Sequence, residues 1–192
     1  MDQKILPLAL NQSVFSECIQ HLEKILSKYK TLINKDYQGY INHCIRMAGC
    51  CLMLSQKQDP ESIHKIAIAV AFHDIGIWTA NTLDYLPPSI EALNQYLAAH
   101  QLIHFQEELS LMITEHHKLS STHYPKYPLV ECFRQADYAD FSLGIIRFGI
   151  PLNAYKQLKS TYPTAGFHKT LFYLGMKRFF RQPWNPLPMF KW

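Results

Sequence analysis

The sequence predicts an all-α fold in a single domain. Apolar residues recur at steps of three and four along most of the chain, and only 7 glycines interrupt that rhythm. A 48% hydrophobic content over 192 residues suits one buried core rather than two. The elements follow in order. From Asn11 or Ser13 to about Lys30, the residues Val14, Cys18, Ile19, Leu22, Ile25, Leu26 and Tyr29 mark one face of a first helix. Asp36 to about Ser55 repeats the pattern through Tyr40, Ile41, Cys44, Ile45, Ala48, Cys51 and Leu52, with His43 and Arg46 beside that face. Asp59-Pro60-Glu61 then combines an N-cap, a proline at the first helical position and an acidic first turn. A third helix is expected to run from there toward His73. Its stretch Ile66 to Phe72 is apolar nearly all round, which makes it the most buried helix, and Gly76 is its expected stop.

After a loop from Trp78 to Pro88, the segments Ser89 to Ala99 and Phe105 to Glu115 read as two short amphipathic helices separated near His100. The polar, proline-marked run Ser120 to Pro128 is a surface loop, and helical spacing resumes from Leu129 to Leu143. A short helix near Leu152 to Leu158, a break at Pro163 and a last helix from about His168 to Phe180 complete the chain. In KRFFRQPWNPLPMFKW the prolines forbid a regular helix, so this end is expected to form a strap in which Trp184, Phe190 and Trp192 cover the core.

Charge and cysteine usage narrow the function classes. The formal net charge of +4 is modest and its lysines and arginines are scattered apart from a C-terminal group, so nucleic acid is not the expected partner. Five cysteines without a CxxC pair read as reduced, buried thiols. No stretch approaches the roughly 18 apolar residues of a membrane span and the first dozen residues do not resemble a signal peptide, so a soluble, cytoplasmic protein is expected.

The chemistry concentrates in His43, His73-Asp74, His116-His117 and Asp137, each on or at the end of a helical segment. Nitrogen and carboxylate donors gathered from separate helices are what a hard or borderline divalent cation requires. A histidine followed by an aspartate where a helix unwinds can turn both side chains toward one ion. Taken alone, a residue such as His43 is more often a hydrogen-bonded core or boundary histidine than a ligand, and one such as Asp137 more often a helix-surface or ion-paired carboxylate.

Together, the segments YINHCIRMAG, AIAVAFHDIG and FRQADYADFSLG resemble the HD-domain superfamily of metal-dependent phosphohydrolases over about residues 37 to 145, leaving a C-terminal helix and strap over about 146 to 192. The resemblance implies a helical bundle and a divalent metal ion (manganese, magnesium, iron, cobalt, nickel or zinc) held by His43, His73, Asp74 and Asp137. It implies hydrolysis of a small phosphate ester, nucleotides included, by a metal-activated water. The sequence departs from the common HDIGK form, because Ile77 and Trp78 follow the glycine.

Within that frame Asp74 would orient the water, and His116 or His117 would protonate the leaving oxygen. A second ion would draw on His100 and His116, with His104 competing for the former role. Arg46, one turn after His43, is expected to clamp phosphate, and Lys118 to add a point charge. Arg134, one turn before Asp137, either holds that aspartate or is a surface charge. Trp78, Tyr85, Tyr124 and Tyr127 either stack on a nucleobase or simply pack. A di-iron oxygenase, a small-molecule hydratase and a metal-free binding module are the alternatives.

Overall fold

The structure, a computed structural model, describes residues 10–184 and residue 189, and every described element is helical. Helix α1 (Gln12–Ser27) starts at Asn11, whose side chain accepts from the Ser13 amide at 3.1 Å. A single turn, α2 (Lys30–Ile33), leads to α3 (Tyr37–Ser55). Helix α4 (Pro60–Phe72) is capped as its sequence predicts, with Asp59 accepting from the Ser62 amide at 2.8 Å and Pro60 in the first turn. Next come the one-turn α5 (Gly76–Thr79), α6 (Leu86–Ala99), α7 (Gln106–Glu115) and α8 (Leu129–Phe141). Helices α9 (Leu152–Thr161) and α10 (Phe167–Arg181) end the described chain.

Two expectations about element ends are corrected. Gly76 does not stop α4; it opens α5. Its role is close approach, since a Cβ there would lie 2.2 Å from the Tyr85 carbonyl oxygen and 2.9 Å from the Ser89 amide nitrogen. Helix α6 begins at Leu86 rather than beyond the prolines, because Pro87 and Pro88 fall in a first turn whose amides need no intrahelical partner.

Helix α3 is the central column, packing along α8 and also against α1, α4 and α9. Its residues from Gly39 to Leu52 are all buried, so it is sheathed on every side, as is the apolar run of α4. Polar side chains on such a helix must find partners inside the protein. Four of the five cysteines, Cys18, Cys44, Cys50 and Cys51, are buried thiols in this core, and Cys132 is half-buried. The expected strap takes a different form where it is described: Trp184 is 97% exposed and covers nothing, while Met189 is buried. Phe190 and Trp192 lie outside the described residues. Among the described residues no helix is long and apolar enough to cross a membrane.

Candidate metal centre

Four elements deliver the donors. His43 projects from α3; His73 and Asp74 lie where α4 unwinds; His116 and His117 follow α7; and Asp137 sits in α8. These six residues form three overlapping groups in which one ligand atom per residue lies within 4.8 Å of the others: His43, His73 and Asp137; His73, Asp74 and His116; and His116, His117 and Asp137. All six are buried. Three of the four predicted ligands, His43, His73 and Asp137, therefore meet in one group, and Asp74 joins them through His73 in a second group with His116.

The hydrogen bonds outside the cluster set the ring orientations. His43 Nδ1 donates to Asp140 Oδ2 at 2.7 Å, His73 Nδ1 to the Val70 carbonyl at 2.8 Å, and His116 Nδ1 to the Ile113 carbonyl at 2.6 Å. Carbonyl and carboxylate oxygens only accept, so in each ring Nδ1 carries the proton. Each Nε2 is then left as a lone pair turned inward. His43 Nε2 and His73 Nε2 lie 3.1 Å apart, and His43 Nε2 is 3.7 Å from Asp137 Oδ1. His73 Nε2 lies 3.4 Å from Asp74 Oδ2, and His116 Nε2 lies 3.6 Å from Asp74 Oδ1. The last separation exceeds a hydrogen bond, and both His116 Nε2 and Asp74 Oδ1 are buried without a hydrogen-bond partner. Converging lone pairs and an orphaned buried carboxylate oxygen are costly unless a cation lies between them. The donor set fits a divalent cation.

Electrostatics support the neutral donor state of His73 and His117. Burial pushes the His73 imidazole down to about 3 and carries His117 well below its ordinary value, so both remain neutral near neutral pH. Burial pushes Asp137 up to about 6 against the pull of His116 and His43. For Asp74 burial acts upward too, but His73, His116 and His43 hold the carboxyl well below the carboxylate range. Burial also opposes charge on His116, yet Asp74 and Asp137 raise it.

Arg46 requires a correction. Its guanidinium is 0% exposed and cannot clamp a substrate phosphate: Nε and Nη2 donate to the two oxygens of Asp140 at 2.7 Å each, and Nη1 donates to the Tyr162 carbonyl at 2.8 Å. The helical spacing placed Arg46 on the face of His43 correctly, but that face meets α8, and Asp140 claims the fork. Asp140 is the residue sequence reasoning missed. It binds His43 and Arg46 and accepts from the Tyr155 hydroxyl at 3.0 Å. Its spacing of three from Asp137 was the available signal, since both carboxylates then share one face of α8.

His100 also lies elsewhere. Its Nδ1 donates to the Tyr96 carbonyl at 2.7 Å and its ring stacks on Tyr96, beside His21 and His64 at another surface cleft. It is absent from the three donor groups, and the donor found next to His116 is His117. His104 is exposed and packs on Phe105. Lys118 pairs with Glu115 at 3.4 Å and does not line the cavity over the cluster. Arg134 takes neither expected role, since it is buried and bonds Glu131 and the Lys118 carbonyl. Trp78 packs on Tyr40, and Tyr124 and Tyr127 line a different depression; of the four loop aromatics, Tyr85 faces the site.

The cluster opens on one side into a cavity of about 600 Å³ whose floor is His43, Asp74, His117 and Asp137. Tyr85 stands at that floor, its hydroxyl 2.5 Å from His117 Nε2. Helix α10 forms the opposite wall through Phe167, Leu171, Phe172, Met176 and Phe179. His116 is fully buried behind Asp74 and does not reach the cavity. Comparison with known families, curated proteins and solved structures finds no match for this chain.

Proposed function

We propose that this chain is a metal-dependent phosphohydrolase of the HD-domain type, acting on a phosphate ester with His43, His73, Asp74 and Asp137 as the principal metal ligands. The observation that carries this reading is the set of three inward Nε2 lone pairs, each enforced by an Nδ1 hydrogen bond, converging on Asp74 and Asp137. A divalent ion in that position supplies Lewis-acid charge and lowers the pKa of water.

The chain's own groups account for the remainder. Asp140 fixes the His43 ring and neutralises Arg46, so neither drifts toward substrate. Asp137 Oδ2 lies 3.7 Å from His117 Nδ1, so this carboxylate also faces the ring at the cavity floor. Of the adjacent histidines, His117 faces the cavity and His116 does not, so the His117–Tyr85 pair is the one placed to hydrogen-bond a leaving oxygen. Tyr85 keeps its proton because burial raises its hydroxyl well above the ordinary value.

One observation favours a second reading. Asp74 turns Oδ2 toward His73 and Oδ1 toward His116, and these two histidines also belong to two different groups with Asp137, so its carboxylate lies as a bridge between two ions would. That arrangement also suits a di-iron oxygenase. Metal analysis of the purified chain, paired with a panel of phosphate esters under each metal, separates the two. Turnover of a phosphate ester that disappears in His73→Ala and Asp74→Ala, with metal uptake lost and helicity retained, is the expected result. Full metal occupancy in both variants would defeat the ligand assignment, and two irons per chain with no phosphatase activity would favour the oxygenase.

A further inference from the structure

The cavity above the donor cluster has a divided chemistry. Its polar atoms lie at the floor, in His43, Asp74, His117, Asp137 and Tyr85, with His168 beside them. The rest is Leu83, Phe141, Met189 and the apolar face of α10. Among the described residues, no lysine or arginine lines it. Arg46 pairs with Asp140, Arg134 with Glu131 and Lys118 with Glu115, while Lys177 and Arg178 of α10 line a separate pocket on the other side of Leu83. A chain of phosphates extending from the floor would therefore place charge against Phe, Leu and Met side chains with no counter-ion, an arrangement that burial penalises heavily. Nor does the wall offer the several hydrogen-bonding groups that would read the edge of a base. An alkyl chain meets neither obstacle, and the cavity volume of about 600 Å³ lies within the range for small-molecule sites.

We propose that the ligand of this site carries a single phosphoryl group at the donor cluster and an extended, uncharged apolar chain against α10. The substrate class is thus an alkyl or acyl-chain phosphate monoester, not a nucleotide. This rests on the phosphohydrolase reading for the reacting end and on the cavity alone for the apolar end. Phe172 and Met176 are the specificity-determining positions, since both line the cavity while remaining exposed, Phe172 by 71%.

The test is calorimetric binding of inorganic phosphate, butyl phosphate, hexyl phosphate, octyl phosphate and adenosine monophosphate to the full chain supplemented with Mn²⁺. Burial of each added methylene should tighten binding by about fourfold, so octyl phosphate should bind about two hundredfold tighter than butyl phosphate. Met176→Asp and Phe172→Asp should each weaken octyl phosphate by more than tenfold and leave metal uptake unchanged. A series flat within threefold from butyl to octyl, or tighter binding of adenosine monophosphate than of octyl phosphate, would overturn the proposal. The two readings fail differently. Hydrolysis of p-nitrophenyl phosphate with a flat alkyl series removes the apolar site and leaves the hydrolase; a steep series with no ester hydrolysed removes the hydrolase and leaves the apolar site.

Discussion

Asp140→Asn should be among the most destabilising single substitutions in the chain, although it changes little in volume. In the native protein both Asp140 oxygens accept from Arg46 at 2.7 Å, and one also accepts from His43 Nδ1 at 2.7 Å. Arg46 is fully buried, so no water can replace a lost partner. An asparagine amide offers one acceptor oxygen and turns an NH₂ group against donors. Removing one partner of a buried ion pair costs about 3–5 kcal/mol. At about 2–4 °C per kcal/mol for a chain of this size, the midpoint should fall by roughly 6–20 °C. The sign with pH is also determined. Asp140 sits below its ordinary value: burial opposes the charge, but His43 and Arg46 more than offset it. The wild-type advantage should therefore be complete above the unfolded carboxylate value of about 3.9 and disappear as pH falls below it. Thermal unfolding followed by circular dichroism in chelator, at pH 7 and at acid pH, measures both quantities. A midpoint within 2 °C of wild type at pH 7 would refute the claim that Asp140 neutralises a buried guanidinium.

Three further outcomes are expected. Adding a binding divalent metal at about a hundred times its dissociation constant should raise the unfolding free energy by about 2.7 kcal/mol, seen as a midpoint shift that chelator reverses; no shift with any of manganese, magnesium, iron, cobalt, nickel or zinc would remove the metal centre. Gly76→Ala should cost about 1–3 kcal/mol, because its Cβ meets the Tyr85 carbonyl at 2.2 Å, and an unchanged midpoint would show that α5 and α6 do not approach so closely. Tyr85→Phe removes the hydroxyl beside His117 Nε2 and should lower turnover by about 10²–10³-fold with metal content unchanged. Turnover of that variant within threefold of wild type would take the Tyr85 hydroxyl out of the reaction.

Much of the helical layout was legible in the sequence because its causes are local. Asp59-Pro60 starts α4 for reasons contained in four residues, and the three- and four-step spacing of Val14, Cys18, Leu22 and Ile25 makes one buried face wherever the helix goes. The donors His43, His73, Asp74 and Asp137 were legible too, since each sits on or at the end of a segment whose helical character the sequence displays. What the sequence could not assign was the partner of each polar side chain. Arg46 and Asp140 are 94 residues apart, and whether a guanidinium faces substrate or a buried carboxylate depends on which helix lies against it.

The same reason separates His100 from His117. Both are histidines at helix ends with a sequence-level claim to the site, but α6 carries His100 to an outer cleft while the end of α7 turns His117 toward Asp137. The apolar wall of α10 is the clearest case. Its sequence displays Phe, Leu and Met with basic residues between, a composition compatible with packing, a strap or a surface contact; only its placement across from His43 and Asp137 makes it one side of a cavity. Periodicity and capping are properties of neighbours along the chain and determine the helices by themselves. Burial and charge pairing belong to neighbours in space, so the candidate donors could be picked out in advance while their supporting residues and the cavity wall were decided by the tertiary structure.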